Sequence, residues 1–227
     1  MDAKPLFVFP KWSNQVALGV VVVLLTAPAY LGALVAYAFN PTTLNVGYEP
    51  VQPIPYSHAL HVGQMGIDCR YCHNTVEKAG FAAIPPTDTC LNCHNGIWTN
   101  SPKLKPLFES ARTGEPVKWV KIHDLPNYVF FNHSAHVNGG VGCVECHGRV
   151  NHMETVSQVQ PLNMGWCLEC HRDPDPRIRP KDQVTNLEWA PAVAEGKTLE
   201  QAKRELGAEL KKKFKVQPNV DCVTCHR

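Results

Sequence analysis

The stretch "DCRYCHNTVEKAGFAAIPPTDTCLNCHNG", residues 68–96, holds one five-residue pattern twice: Cys69-Arg70-Tyr71-Cys72-His73 and Cys90-Leu91-Asn92-Cys93-His94. The pattern returns at Cys143-Val144-Glu145-Cys146-His147, Cys167-Leu168-Glu169-Cys170-His171 and Cys222-Val223-Thr224-Cys225-His226, so five copies use all 10 cysteines of the chain. Structural zinc consumes C-x-x-C pairs two at a time and places no demand on the next residue. An odd number of pairs, each followed by His, fits neither zinc nor a disulfide framework. With 11 His in 227 residues, His occupies about one position in twenty, so a fivefold coincidence is excluded. The pattern is the c-type haem attachment signature. Two thiols add across the vinyl groups of one porphyrin, and the adjacent imidazole becomes its proximal ligand. The expectation is five haem c groups, with proximal His73, His94, His147, His171 and His226.

Composition follows from that reading. From Glu49 onward, roughly 36 residues are available per haem, too few for a conventional aliphatic core. Porphyrin faces would supply most of the buried apolar surface. The expected fold is mainly α with much irregular coil and little sheet, in keeping with 19 prolines. The formal charge of +2 is offset by two propionates per haem, so no nucleic-acid partner is expected.

No charged residue lies between Trp12 and Tyr48. The apolar run Val16–Phe39 is long enough as a helix to cross the hydrocarbon core. Pro28 within it is tolerated in membrane helices. Lys4 and Lys11 place the N-terminus on the cytoplasmic side and the haem domain on the periplasmic, outer face. A cleaved signal peptide is the competing reading, since Ala36-Tyr37-Ala38 resembles a cleavage site, but the run exceeds a signal h-region. The expected organisation is a cytoplasmic tail at 1–12, a transmembrane helix at 13–40, a linker at 41–57 and a haem domain at 58–227. The haem domain would comprise a dihaem module, 58–100, and a triheme module, 101–227. Val51-Gln-Pro-Ile-Pro55 reads as an extended spacer.

Six histidines lie outside the motifs: His58, His61, His123, His133, His136 and His152. Tyr56-Ser-His58-Ala-Leu-His61-Val precedes Cys69, and Phe131-Asn-His133-Ser-Ala-His136-Val precedes Cys143. The order matches in both: aromatic, x, His, x, x, His, Val, a Gly-containing loop, then the attachment motif. The haem domain therefore reads as a duplication with a fifth motif appended. On one helical turn, His at i and i+3 leave on neighbouring faces, so one helix can offer a ligand to each of two haems.

This arrangement resembles the small triheme class III cytochromes. There the first His of such a pair serves the haem attached next, and the second serves the following one. The resemblance implies that His58 pairs with His73, His61 with His94, His133 with His147 and His136 with His171. It also places the fifth distal ligand shortly before the preceding motif, a slot that reads Pro161-Leu-Asn-Met164-Gly-Trp-Cys167. The candidates, in order, are Met164, Met153, His152 and His123. Neighbours on a helix point about 100° apart, which discourages His152 and Met153 from serving one iron. A Met ligand would raise that haem's potential.

Thr198-Leu-Glu-Gln201 resembles a capping box. Leu199, Ala202, Leu206, Leu210 and Phe214 then recur at helical spacing, ending at Lys211-Lys212-Lys213, which complements the helix dipole.

Six spare histidines plus Met65, Met153 and Met164 suffice for five distal positions, leaving no iron open to substrate. That favours an electron wire over an autonomous single-helix quinol dehydrogenase or a multihaem reductase with an open iron. The whole set resembles, over essentially the entire chain, the pentahaem (ActA-type) cytochrome subunits of alternative complex III. The set comprises the single N-terminal helix, Tyr-Ser-His-x-x-His, the quoted stretch, "FNHSAHVNGGVGCVECHG" and "NMGWCLECHR". The resemblance implies four bis-His haems, one His/Met haem and no catalytic residue of its own. It implies partnership with a polytopic quinol-binding membrane subunit, an iron–sulfur subunit and a monohaem cytochrome c. Electrons from menaquinol would pass to a soluble carrier or terminal oxidase.

Overall fold

The computed structural model describes residues 9–38 and 45–227. Most of the expected N-terminal tail, the end of the expected transmembrane span and the start of the expected linker lie outside the described residues. Two compact units are present, one ending at Leu44 and one running from Asn45 to Arg227.

The first unit is a helix, α1, Trp12–Ala38, of 27 residues with Pro28 inside it. At about 1.5 Å per residue it reaches about 40 Å, more than the hydrocarbon thickness. None of its residues is buried. By length and composition it is able to cross a membrane.

In the second unit the described residues form short helices joined by long irregular segments. The helices are α2, Cys69–Cys72; α3, Thr87–His94; α4, Lys105–Thr113; α5, His133–Asn138; α6, Cys143–His147; α7, Met164–Arg172; α8, Leu199–Phe214; and α9, Cys222–Cys225. A π-helical turn occupies Ala59–Gln64. The only strand-like pairing among the described residues is an isolated antiparallel bridge, Val141 to Ile178. The architecture is thus mostly helical coil, as expected. Each attachment motif lies on a helix, which puts its two cysteines, at i and i+3, on the same side.

The aliphatic core is small. Among the described residues only Ile54, Leu104, Leu107, Ile178, Val184, Leu187, Ala202 and Leu210 are buried hydrophobics. Ile54, Leu104 and Leu107 form one cluster, flanked by Cys90, Leu91, Phe108, Val117 and Trp119. Ile54 belongs to the stretch expected as a spacer, and that segment is docked rather than free. Gly47 N–H donates to the Gln158 carbonyl (2.7 Å) and Gln158 N–H to the Tyr48 carbonyl (3.1 Å). Gln52 exchanges two hydrogen bonds with the Val120 backbone, each 3.0 Å.

Helix α8 is the longest element of this unit and has the expected start: Thr198 and Gln201 form a reciprocal capping box. Ala202 and Leu210 are buried as the periodicity predicts, whereas Leu199 remains 44% exposed in the first turn. Gly207 allows the closest approach. A Cβ there would lie within bonding distance of the Asp175 carbonyl, so only hydrogen fits. Arg204 to Asp173 (2.6 Å) and Lys211 to Asp175 (3.0 Å) flank this contact. One of the three terminal lysines thus tethers the helix as well as complementing its dipole.

Candidate haem-binding sites

The paired histidines are set by an aromatic ring two residues upstream. Tyr56 meets His58 edge-on (4.8 Å, 86°) and stacks on His61 (4.4 Å, 24°). Phe131 repeats this with His133 (4.7 Å, 86°) and His136 (4.6 Å, 28°). One ring therefore holds the two imidazoles of each pair in different orientations, one edge-on and one stacked.

The tautomers are fixed next. Nδ1 of His61 bonds the Ser57 carbonyl (2.8 Å), and Nδ1 of His136 the Asn132 carbonyl (2.8 Å). His73 uses Ala83 (2.9 Å), His94 uses Ile97 (3.3 Å) and His133 uses Gly80 (3.1 Å). His171 uses Asn219 (2.6 Å) and His226 uses Tyr128 (3.2 Å). In each case a carbonyl can only accept, so Nδ1 carries the proton and Nε2 presents its lone pair. That is the arrangement in which metal-ligating histidines are held.

The distances test the fit of an iron between rings. A nitrogen–metal bond of ~2.0–2.1 Å on each side, plus ~1.1 Å from Nε2 to each ring centre, puts trans imidazoles of one metal about 6.3 Å apart. The ring centres of His61 and His94 are 6.3 Å apart, those of His133 and His147 6.4 Å, and those of His136 and His171 6.1 Å. The His133 and His147 rings are parallel within 10°. His58 lies near His73, whose charge, after burial itself, helps push His58 down to about 4. Burial pushes His147 to about 3 and also lowers His123, His133 and His136. All these rings are neutral near pH 7, the state in which imidazole binds a metal. Burial likewise raises Cys72, Cys90, Cys167 and Cys170, and takes Cys146 to about 12.

The candidates for the fifth distal position are scattered. His152 is on the surface with Nε2 already bonded to Glu188 (2.8 Å), whose other oxygen holds Arg149 (3.1 Å). His123 meets His147 edge-on at 4.4 Å, too close for an iron between them, and its buried Nε2 has no hydrogen-bond partner. Met153 follows a single 3₁₀ turn, Val150–His152. Met164 opens α7 after the Asn163 cap and is 65% exposed. One turn further along α7, the Cys167 thiol is within electrostatic reach of Cys225, the second cysteine of the fifth motif.

Sequence reasoning missed the carbonyl anchors, which belong to residues of any type and leave no compositional trace. It also missed Arg179, only 4% exposed, which pairs with Glu145 inside the third motif (2.6 Å). Arg179 also donates to the Asn186 carbonyl (3.2 Å) and lies over the Trp189 ring (5.3 Å).

The comparisons with known proteins bear on the same residues. The family model described as cytochrome c7 and related cytochrome c matches residues 129–227. Residues 129–227 are a cytochrome c7-like multihaem domain. The c7-like region contains the second histidine pair and the last three attachment motifs. Over 126 residues the chain is 36% identical to the multihaem cytochrome c subunit of menaquinone reductase from Nitratidesulfovibrio vulgaris. That alignment covers 53% of this chain and 58% of the relative, so the chain spans little more than half of the curated protein it matches. Over that stretch the chain is similar to a multihaem c-type cytochrome subunit.

Proposed function

We propose that the chain is a membrane-anchored pentahaem electron-transfer subunit of a complex that exchanges electrons with menaquinol. Its site residues are the ten motif cysteines, the five motif histidines, the distal His58, His61, His133 and His136, and Met164 for the fifth haem. The observation that carries the reading is the set of His–His separations near 6.3 Å, with Nε2 free on the anchored rings. Histidines on both sides would hold each of those haems, an arrangement that would suit outer-sphere relay rather than substrate binding at the iron.

Each haem, when bound, supplies an iron that is reversibly oxidised by one electron. The chain's own residues hold that iron in a fixed setting. The carbonyl anchors leave Nε2 free to face the metal, and the Tyr56 and Phe131 rings set the imidazole planes. Ligands that need not move lower the reorganisation accompanying each transfer.

Helix α1 serves as the anchor, with the haem domain on the periplasmic side. The expected partners are a polytopic quinol-binding subunit, an iron–sulfur subunit, a monohaem cytochrome c and a soluble carrier or terminal oxidase, as in alternative complex III. The relative's name favours a second reading, in which the same relay runs towards quinone reduction.

The purified holoprotein is expected to contain five haems per chain by pyridine haemochrome assay and to be low-spin throughout. Rapid binding of cyanide or carbon monoxide to any haem would overturn the relay reading. Turnover of the isolated subunit with added quinol at the rate of the whole complex would favour an autonomous dehydrogenase instead.

A further inference from the structure

The two repeats pack on each other reciprocally. In the first, the residue after the leading histidine, Ala59, donates its N–H to the Met153 carbonyl (3.0 Å), in the loop that follows His147. In the second, the equivalent Ser134 donates to the Ala79 carbonyl (3.1 Å), in the loop that follows His73. Both acceptors stand at the same offset from their motif histidine.

The next turn repeats the exchange. Gly63 lies so close to Asn151 that a Cβ would come within 2.3 Å of its carbonyl oxygen. Its counterpart Asn138 sends its side-chain amide to the Glu77 carbonyl (2.9 Å). Asn151 and Glu77 again occupy equivalent places after His147 and His73. The Cys69 and Cys143 thiols, the first cysteines of the equivalent motifs, are near neighbours. Like residues meeting like is the mark of a twofold, isologous contact, here within one chain.

The other neighbours follow from shared supports. Motifs two and one are joined through the Tyr56 clamp, and the Asn92 amide donates to the Tyr71 hydroxyl (3.0 Å). Motifs three and four are joined through the Phe131 clamp, since His133 faces His147 and His136 faces His171. Motifs four and five are joined because His171 is anchored on Asn219, just before Cys222 (2.6 Å).

We infer that the five stations form one unbranched chain in the spatial order two, one, three, four, five, folded about a pseudo-twofold axis between motifs one and three. This rests on the relay reading above and adds its terminals. Electrons enter and leave at motifs two and five, and motif three stands at the centre. Exposure agrees: among the ten cysteines only Cys93 and Cys222, one in each terminal motif, are exposed. What enters at one end leaves at the other to the proposed acceptor, with no bond made or broken in the chain.

A density map of the holoprotein gives the first test: iron one is expected beside iron three, with iron two beyond it. Iron two lying nearer to iron three than iron one does would overturn the order. Two variants test it kinetically, C69A/C72A and C90A/C93A, each confirmed to lack one haem by pyridine haemochrome assay. After rapid reduction by a soluble donor, C90A/C93A is expected to equilibrate among its remaining haems as the parent does. In C69A/C72A the haem of motif two is expected to lose fast exchange with the others, and the reverse pattern would refute the order. If the parent's haems exchange no electrons, the relay reading fails, while the iron positions still report the order directly.

Discussion

The two histidine pairs are alike in their side chains and unlike in their backbones. Tyr56 and Phe131 hold their partners with nearly the same distances and angles. Yet the first pair leads into a π-helical turn, Ala59–Gln64, and the second into the α-helix His133–Asn138. His61 and His136 nevertheless bond the carbonyl four residues back with the same 2.8 Å. Placement of these two imidazoles therefore follows the ring contacts and the Nδ1 anchor, and the backbone accommodates them. A one-residue widening of a helix is a small adjustment beside misdirecting two ligands.

The leading histidines differ more. Nδ1 of His133 is anchored on Gly80, whereas Nδ1 of His58 is buried without a hydrogen-bond partner. The surroundings of the two motifs differ as well. Motif one opens on Asp68, which accepts from Arg70 N–H (2.8 Å) and the Arg70 side chain (2.9 Å) at the surface. Motif three carries the buried Arg179–Glu145 pair instead.

The comparison makes a ranked set of predictions. Replacing the second histidine of either pair, His61→Ala or His136→Ala, should convert one low-spin haem to high-spin, seen by absorption and EPR. Equal effects would support the shared clamp, and an unchanged spectrum in either variant would remove that histidine from the ligand set. Next in size is Arg179→Ala. Leaving a buried carboxylate unpaired costs about 3–5 kcal/mol, here at the low end because the Glu145 side chain keeps 18% exposure. Thermal unfolding of the holoprotein should show it, while Arg70→Ala at the surface pair should be worth at most about 1 kcal/mol.

The reciprocal contact offers a finer distinction. Gly63→Ala forces a methyl onto the Asn151 carbonyl and should destabilise by about 1–3 kcal/mol. Asn138→Ala at the matching place only loses a hydrogen bond, about 0.5–1.5 kcal/mol. Calorimetry that reverses this ranking would argue against the equivalence of the two contacts.

The smallest effect is on pH. The Arg70 hydrogen bond holds the Asp68 carboxyl at about 2, below its usual 3.8. A folded-state pKa below the unfolded one means the stabilisation is present above pH 3.8 and is lost as pH falls towards 2. With both side chains more than 40% exposed, the contribution is well under the surface-pair limit. Asp68→Asn should flatten that part of the acid limb of an unfolding profile, and an unchanged acid limb would show that the pair adds nothing.

Much of this was legible in the chain itself. The attachment motifs declare a covalent chemistry with fixed spacing, so no tertiary information is needed to find them. The apolar run of α1 and the capping box of α8 are local patterns of the same kind, and each helix formed where its pattern lies. The duplication was visible because aromatic, His and His recur in order before two motifs. The region 51–55 reads as an extended spacer, and its letters do not show that Ile54 packs into a core, because a Pro-rich segment looks extended either way.

What the sequence by itself determined is the pattern at each station: where the paired cysteines lie, which histidine follows them, and which other histidines stand in pairs. Only the tertiary structure decided which station stands beside which. That depends on carbonyl acceptors in the loops after His73 and His147, and every residue supplies a carbonyl, so nothing in the letters marks them. Packing placed one against three, because two copies of the same surface bury each other best when related by a twofold axis.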